Sequence, residues 1–329
     1  MARYISDQNK VVLLHESGTY AVVSGNGQWI GQVTSHSISD SEGLIETRYM
    51  GTSTRNFDTF EQGPRDVTGT ITYSPSDMML PFFAIGSLYS SGTGTVTHIV
   101  SEIDHDVEQS PWTSGTLNAP VSFTLEDSKQ APGTGRNFIR TINGVVPNTM
   151  TISASQGDKV NVSLDYIGQT LTHSSGTTTS VTEGTARPYL WSDCLITLGG
   201  SPISTITDFS FEINNNLQGP HYVNGSRDIS VPFRLNRDYT VSLTVDLDGQ
   251  DADMLYNNYY KNANTFNLSF DMDADSSTGS QHTVFAMSGC YITAMDPPSE
   301  ADGATSTSIT VRPESVTGSA WDTKTYNPF

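Results

Sequence analysis

The chain is poor in positive charge. Its 329 residues contain 16 Lys and Arg against 35 Asp and Glu, which gives a formal net charge of −19 at pH 7. A protein that binds nucleic acid in the usual way needs a basic surface to displace counterions from phosphates, and this composition excludes one. We therefore predict an acidic surface that repels phosphate, membranes and acidic partners. Few Lys and many Asp also suit a halophilic host, with an ordinary acidic surface as the open alternative.

Cysteine and long apolar runs are equally scarce. The two cysteines, Cys194 and Cys290, are too few for a disulfide framework or a four-ligand zinc site. Both lie in apolar segments, so we expect buried free thiols. No segment is long and apolar enough for a membrane span, or for a signal peptide at the N-terminus. We therefore expect no membrane partner, and assembly in a cytoplasm.

Catalytic and metal-binding motifs are missing as well. The seven His residues form none of the spacings of zinc proteases or hydrolases. Counted from Asp271, an EF-hand loop needs Gly at its sixth position and Glu at its twelfth, where this sequence has Ser276 and His282. The Asp-rich segments therefore predict solvated strand faces, with a calcium-stabilised adhesin-like domain as the open alternative. We predict no cofactor and no enzyme, although a glycosidase pair of distant carboxylates stays open.

Short runs of alternating apolar and polar residues make up most of the chain. They are bounded by Gly, Pro, Asn, Asp and Ser, which predicts an antiparallel all-β protein. Two segments depart from this pattern, Ser74–Leu88 and Asp248–Asn264. Each begins with Ser or Asp and continues into an apolar or aromatic stripe, which predicts a short helix.

A repeated motif indicates how the strands are organised. Arg65–Tyr73 ("RDVTGTITY") matches Arg237–Val245 ("RDYTVSLTV") at an offset of 172 residues, and a predicted helix follows each copy. Upstream, a strand beginning at Val33 aligns with one beginning at Ile206 at an offset of 173. Downstream, Ser122–Ser128 aligns with Ser269–Asp275 at an offset of 147. We predict two tandem copies of one unit; two unrelated β domains with similar turns are the alternative.

The domain boundary is expected in a Ser-, Thr- and Gly-rich segment, Gly168–Leu190, which is typical of a linker or mobile loop. We therefore predict a first domain over 1–184, with an insertion at about 88–118, and a second over 185–329. A long polar loop with an apolar content, Ser41–Gly63, recurs as Asn214–Asn236. Such loops favour an inter-subunit contact, with an ordinary β-hairpin as the alternative.

The stretch Gly27–Ser87 carries a family likeness. Its order of "GQWIG", a strand, "ETRYMGTSTRN", "GPRDVTGTITY" and a short apolar helix resembles the N-terminal core of tailed-virus tail tube proteins. The resemblance implies a β-barrel or sandwich with a flanking helix in each repeat. It also implies six-membered rings that stack into a hollow tube, through which viral DNA passes without specific binding. The implied partners are the chain itself and tail terminator, tail tip and tape-measure proteins, and the implied location is the virion tail.

The resemblance also implies roles for particular residues. Because the unit occurs twice, three chains would close a ring with pseudo-sixfold symmetry, and the insertion would decorate the exterior of that ring. Since the rings are acidic, they would stack better at high salt. The polar strand face would line the lumen, with external solvent as the alternative location, and the two long loops would contact the adjacent ring. The lumen candidates are Thr70, Thr72, Ser242, Thr244 and Asp246. The inter-ring candidates are Leu44, Ile45, Tyr49, Arg55, Phe57, Phe60, Leu217, Tyr222, Arg227 and Phe233.

A second class of function stays open from the sequence. A duplicated β-sandwich could recognise carbohydrate or a receptor on a virion or cell surface. Such binding sites usually cluster exposed aromatics, whereas Trp29, Trp112, Trp191 and Trp321 are widely spaced. The tail tube interpretation is therefore preferred.

Overall fold

A computed structural model describes residues 9–16, 20–47, 59–92, 95–102, 122–130, 137–246, 253–275, 281–296 and 306–322. Its strands form three linked antiparallel sheets, and the predicted all-β class is confirmed. The first sheet has the order β2 (Val23–Trp29), β1 (Lys10–Glu16), β9 (Phe123–Gln130), the first half of β10 (Asn137–Ser155) and β12 (Thr170–Ser174).

The central sheet has eight strands. Their order is β3 (Gln32–Ser41), β6 (Asp66–Ser74), β11 (Asn161–Gly168), the second half of β10, β15 (Ile206–Asn214), β18 (Asp238–Asp246), β21 (Ser306–Arg312) and the second half of β20 (His282–Met295). The alternating pattern places apolar side chains on one face and polar side chains on the other.

The third sheet has the order β7 (Gly86–Ser91), β8 (Val96–Glu102), β22 (Ser315–Asp322), the first half of β20, β19 (Phe266–Asp273), β13 (Cys194–Leu198) and β14 (Ser201–Pro202). Two small hairpins lie outside the sheets, β4 (Leu44–Thr47) with β5 (Thr59–Gln62), and β16 (Leu217–Gln218) with β17 (Phe233–Arg234). Within the described ranges, no series of pairings closes into a barrel, so the architecture is a sandwich of open sheets.

Two bent strands join the sheets. Strand β10 passes from the first sheet to the central sheet, and β20 passes from the third sheet to the central sheet. Each carries a glycine with positive φ at its bend, Gly144 at +67° and Gly289 at +60°. At the first bend, the buried carboxylate of Glu16 accepts a hydrogen bond from the Gly144 N–H at 2.8 Å. The Tyr20 hydroxyl donates a hydrogen bond to the Gly144 carbonyl at 3.1 Å. The bend is thus fixed by backbone freedom and by buried hydrogen bonds.

The strand pairings occur in two matching sets. The order β3–β6–β11–β10 recurs as β15–β18–β21–β20, and β9 and β12 flank β10 as β19 and β22 flank β20. The register repeats too, because Met150 pairs with Leu164 and Met295 pairs with Ile309, an offset of 145 residues on both strands.

One sequence alignment between the sets is wrong. Leu125 pairs with Ile142 in the first set, and Leu268 pairs with Met287 in the second. The corresponding strands are therefore offset by 143 residues, not by the 147 inferred from Ser122 and Ser269. A strand has a side-chain period of two, so a slip of four residues preserves the apolar alternation that guided the alignment.

The inserted segment and the expected linker both contribute to the sheets. Most of the β7–β8 hairpin falls within the insertion, and β8 extends the third sheet by pairing with β22. Residues 103–121 lie outside the described residues. The segment expected to be a linker contains β12, and it then runs along the first sheet, where Glu126 accepts a hydrogen bond from the Thr179 N–H at 2.8 Å.

The core lies between the central sheet and the two outer sheets. Phe209 of β15 stacks on Phe270 of β19 with ring centroids 4.0 Å apart. Both predicted helices occur, as the helix α1 (Met79–Ile85) and a π-helix at Asp253–Lys261, together with a 3-10 turn at Trp191–Asp193. All seven residues of α1 are buried. The described helices include none that is both long and apolar enough to cross a bilayer.

Both cysteines are free thiols, as predicted. The expected burial is confirmed for Cys290 but not for Cys194, which is partly exposed. Burial raises the pKa of Cys290 to about 11 and that of Cys194 to about 12, so both thiols stay protonated and unreactive at neutral pH.

Substitution of Gly144 tests the bend. Gly144→Ala should lower the free energy of unfolding by about 2–4 kcal/mol, because the new Cβ would lie 2.8 Å from the Tyr20 ring and 2.9 Å from the Gln169 Cβ at a positive φ. Gly157→Ala is the matched control, since Gly157 has φ +82° and its Cβ would meet nothing within 4 Å. It should cost about 1–2 kcal/mol. Urea denaturation followed by circular dichroism measures both, and equal losses would contradict the packing argument.

Candidate functional site

The central sheet has one polar face. Along β6, Val67, Ile71 and Tyr73 are buried, whereas the intervening Thr70 and Thr72 point away from the core. Along β18, the buried residues alternate in the same way with Ser242 and Thr244. Because paired residues of neighbouring strands share a face, all eight strands contribute to one polar surface.

The five lumen candidates all lie on this face, in two rows. Thr70 and Thr72 belong to β6, and Ser242, Thr244 and Asp246 belong to β18. Strands β11, β10 and β15 separate the rows, which puts them about 19 Å apart at roughly 4.8 Å per strand. The intervening strands add further hydroxyls and acids to the face, including Ser153, Ser163, Asp165, Asp208 and Glu212.

The charge of this face is negative. Its described strands carry six acidic residues, Asp66, Asp165, Asp208, Glu212, Asp238 and Asp246. Arg312 of β21 is the one basic residue on the described part of the face. The Thr70 hydroxyl donates to Asp165 at 2.6 Å, so hydroxyls and carboxylates are linked along the surface. With six acidic residues against one basic residue in its described part, this face repels phosphate groups.

Each end of the central sheet has an open strand. Among the described residues, β3 pairs only with β6, and the second half of β20 pairs only with β21. His36 of β3 lies within 2.8 Å of the Tyr166 hydroxyl of β11. Burial lowers the pKa of His36 to about 4, so this imidazole is neutral at physiological pH. An exposed sheet edge is a template for pairing with another strand.

Apolar side chains are exposed on the two loops. In the first loop, Leu44, Ile45 and Phe60 are 61%, 50% and 58% exposed, and in the second Tyr222 is 59% exposed. Leu217 and Phe233 are partly buried at the base of the second loop. The other inter-ring candidates, Tyr49, Arg55 and Phe57, lie outside the described residues.

Arg227 joins the two loops rather than exposing its side chain at a tip. Its guanidinium donates to the Glu42 carboxylate at 2.7 Å and to the Gly63 carbonyl at 2.8 Å. Its own carbonyl accepts a hydrogen bond from the Arg65 N–H at 2.9 Å. This role was missed from the sequence, because nothing local predicts that residues over 160 positions apart meet.

Asn215 is a second residue that the sequence did not single out. Its fully buried amide donates to the Ala84 carbonyl at 3.0 Å and to the Pro147 carbonyl at 3.1 Å. It therefore connects the end of β15 to both α1 and β10. Its place in a run of three Asn residues suggests only a turn.

The Asp-rich segments do not assemble a metal centre in the described structure. Asp271 pairs with His282 at 2.7 Å, and Asp246 lies on the polar sheet face. Within the described ranges, no three or more His, Cys, Asp and Glu residues are arranged to hold a metal ion. Asp248 and Asp251 lie outside those ranges.

The pKa of His36 predicts an acid-sensitive edge strand. An unfolded His takes up a proton near pH 6.5, whereas native His36 takes one up only near pH 4. The native state therefore binds fewer protons between these values, and the free energy of unfolding should fall as the pH drops from 6.5 to 4. Urea titrations across this range measure the loss. His36→Gln should reduce its pH dependence, and an unchanged slope would contradict the assignment.

The comparisons with known proteins agree with this geometry. A family model described as phage tail tube protein matches residues 74–320, from the last residue of β6 into β22. This range overlaps the resembling stretch 27–87 only at its end, so it supports the resemblance from a largely separate part of the chain. A search of curated proteins finds no match. Because the family match spans well over half of the sequence, the chain belongs to the phage tail tube protein family.

Proposed function

We propose that three copies of this chain form a ring, and that such rings stack into the tail tube that conducts the viral genome. The observation that carries this proposal is the joint between β10 and β15 inside one chain. There, Thr149–Ser155 pair with Asn214–Asp208 and merge two four-stranded sets into one sheet. The same joint can form again between chains, because β3 and the second half of β20 each keep an edge to which no described strand pairs.

The register of the intermolecular joint follows from the internal one. Strand β20 corresponds to β10 at an offset of 145 residues, and β3 corresponds to β15 at 173. Thr149 pairs with Asn214 inside the chain. The corresponding pair between chains is Ala294 with Ser41. Met295 and Asp40 follow as the next pair.

Three chains would supply 24 strands to the inner wall. With strands roughly 4.8 Å apart, a closed sheet of this size is about 37 Å across before strand tilt widens it. This leaves room for a DNA duplex inside. The apolar face of the central sheet is covered by the first and third sheets, which need the larger space outside the wall. The acidic face would therefore line the lumen, including Thr70, Thr72, Ser242, Thr244 and Asp246.

We further propose that the two strand sets are tandem tube units, over 1–184 and 185–329. The repeated pairing order and the two bent strands support this division. The protein would then act in the virion tail as a structural component without catalysis. It would assemble in the host cytoplasm, with tape-measure, terminator and tail tip proteins as partners. A halophilic host would account for the acidic composition.

Cysteine pairs test the ring directly. In a Cys194→Ser background, Ser41→Cys combined with Ala294→Cys should give covalent dimers and trimers after oxidation, because paired residues of adjacent strands are close enough for a disulfide. Non-reducing gel electrophoresis measures the products. Thr149→Cys with Asn214→Cys is the positive control, since these residues pair within one chain.

Register is tested with a shifted control. Ser37 lies on the same face of β3 as Ser41, four residues away, or about 13 Å. Ser37→Cys with Ala294→Cys should therefore cross-link poorly. The proposed joint would be contradicted if Ser41→Cys/Ala294→Cys and Ser37→Cys/Ala294→Cys gave equal amounts of cross-linked product. It would also be contradicted if Ser41→Cys/Ala294→Cys gave only monomers.

The loops are tested through stacking. Phe60→Asp should abolish tube elongation while leaving single rings, because it puts a charge into the exposed apolar surface of the β4–β5 hairpin. Light scattering across a salt series and negative-stain microscopy separate rings from tubes. Wild-type polymer should increase with salt, since screening weakens repulsion between acidic rings. Polymer that decreases steadily toward molar salt, or normal Phe60→Asp tubes, would refute this account of stacking.

A further inference from the structure

Helix α1 of the first strand set is covered by residues of the second strand set. It belongs to the first set, yet Phe82 packs edge-on against Phe285 of β20 with centroids 5.9 Å apart. The same ring lies against Gly318 of β22, where a Cβ would come within 2.8 Å of it. The second set thus completes the burial of the first set's helix.

The π-helix at Asp253–Lys261 is the counterpart of α1 in the second set. It packs on β20 as α1 packs on β10. Its Leu255 is buried, and the ring of its Tyr259 lies 4.7 Å from that of Phe266 on the neighbouring strand β19. Its other aromatic residues, Tyr256 and Tyr260, are partly buried against the core and lie 5.7 Å apart, and the Lys261 ammonium lies 5.8 Å from the Tyr256 ring. Unlike α1, this helix therefore keeps an aromatic face that is not fully covered.

The surface that would cover this face is present on the first set. Phe285 and Gly318 pair in the third sheet, and their counterparts at an offset of 145, Arg140 and His173, pair in the first sheet. Phe138 contacts the His173 ring at 4.5 Å, and the Arg140 guanidinium lies 5.9 Å from the Phe138 ring. His173 is exposed, and Phe138 and Arg140 are partly exposed. We name Phe138, Arg140 and His173 the docking patch.

We propose that Tyr256 and Tyr260 of one chain seat on the docking patch of the next chain. This inference rests on the proposed ring, whose symmetry brings the second set of one chain against the first set of its neighbour. The partner is thus a second copy of this chain. The contact is continuous with the proposed edge-to-edge joint of β20 and β3. The chemistry is complementary, because tyrosine rings pack well against aromatic rings and against the guanidinium of Arg.

Hydroxyl-radical footprinting of the unmodified protein provides the first test. Tyr256, Tyr260 and His173 should label readily in the isolated protomer and become protected in rings. Tyr222, on the exposed second loop, should label in both states while rings stay unstacked. Protection of Tyr256 and Tyr260 already in the protomer would mean that the chain covers its own helix, and it would overturn the proposal. Unchanged labelling on ring formation would also overturn it.

A double-mutant cycle provides the second test. Tyr260→Ser and His173→Ser should each raise the concentration at which rings form by roughly fivefold or more, as expected for loss of an aromatic contact. The double variant should add little beyond the larger single effect. Leu195→Ser, which removes a 51%-exposed apolar side chain from β13, is the control and should change nothing. Additive effects of the two substitutions would overturn direct contact.

The two proposals fail in different ways. If the wild-type protein forms no rings and Ser41→Cys with Ala294→Cys gives no cross-link, the ring itself is wrong. If rings and the cross-link form normally in Tyr256→Ser/Tyr260→Ser, only the helix contact is wrong. Thermal melts of each variant protomer confirm that assembly, rather than folding, is being compared.

Discussion

The pairing of β10 with β15 is the constraint on which the rest of the structure depends. It joins two four-stranded sets over seven residue pairs, Thr149–Ser155 with Asn214–Asp208. The Asn215 amide holds the joint at one end by bonding to both β10 and α1. Among the described residues, this joint uses one edge of each set and leaves two unlike edges, β3 and the second half of β20. If these edges pair between chains as we propose, the sheet extends head to tail and closes as a ring.

The bent strands connect this inner sheet to the outer layers. A strand that serves two sheets cannot shift in one without shifting in the other, so the register of β10 fixes the first sheet as well as the central sheet. Gly144 supplies the backbone conformation, and Glu16 supplies the buried acceptor that holds it. The polar inner face is thereby positioned by residues that lie far from it.

The sequence predicts features that depend on the periodicity of apolar residues, and it does not predict contacts between residues far apart in the chain. Alternation correctly placed Thr70 and Thr244 on the same sheet face, and the apolar and aromatic stripes located both helices, although the N-cap of α1 is Met78 rather than the expected Ser or Asp. The same alternation could not detect a slip of four residues between β9 and β19, since an even shift leaves every side chain on its own face. The bond from Arg227 to Glu42 and the pairing of β8 with β22 join segments far apart in the chain. Nothing local specifies such contacts.

The β10–β15 joint within one chain and the proposed β20–β3 joint between chains differ in the number of backbone hydrogen bonds they can form. This difference affects when a tube assembles. Inside the chain, Ile152 and Ser153 of β10 both pair with β15. Their counterparts at an offset of 145 are Pro297 and Pro298, which have no N–H to donate to a neighbouring strand. The joint between chains would therefore be shorter than the joint within one, and weaker in backbone hydrogen bonds. Prolines close to an edge strand in sequence also discourage indiscriminate pairing. Protomers would then fold fully on their own, and closure of the ring would require the helix contact in addition to the strand edge.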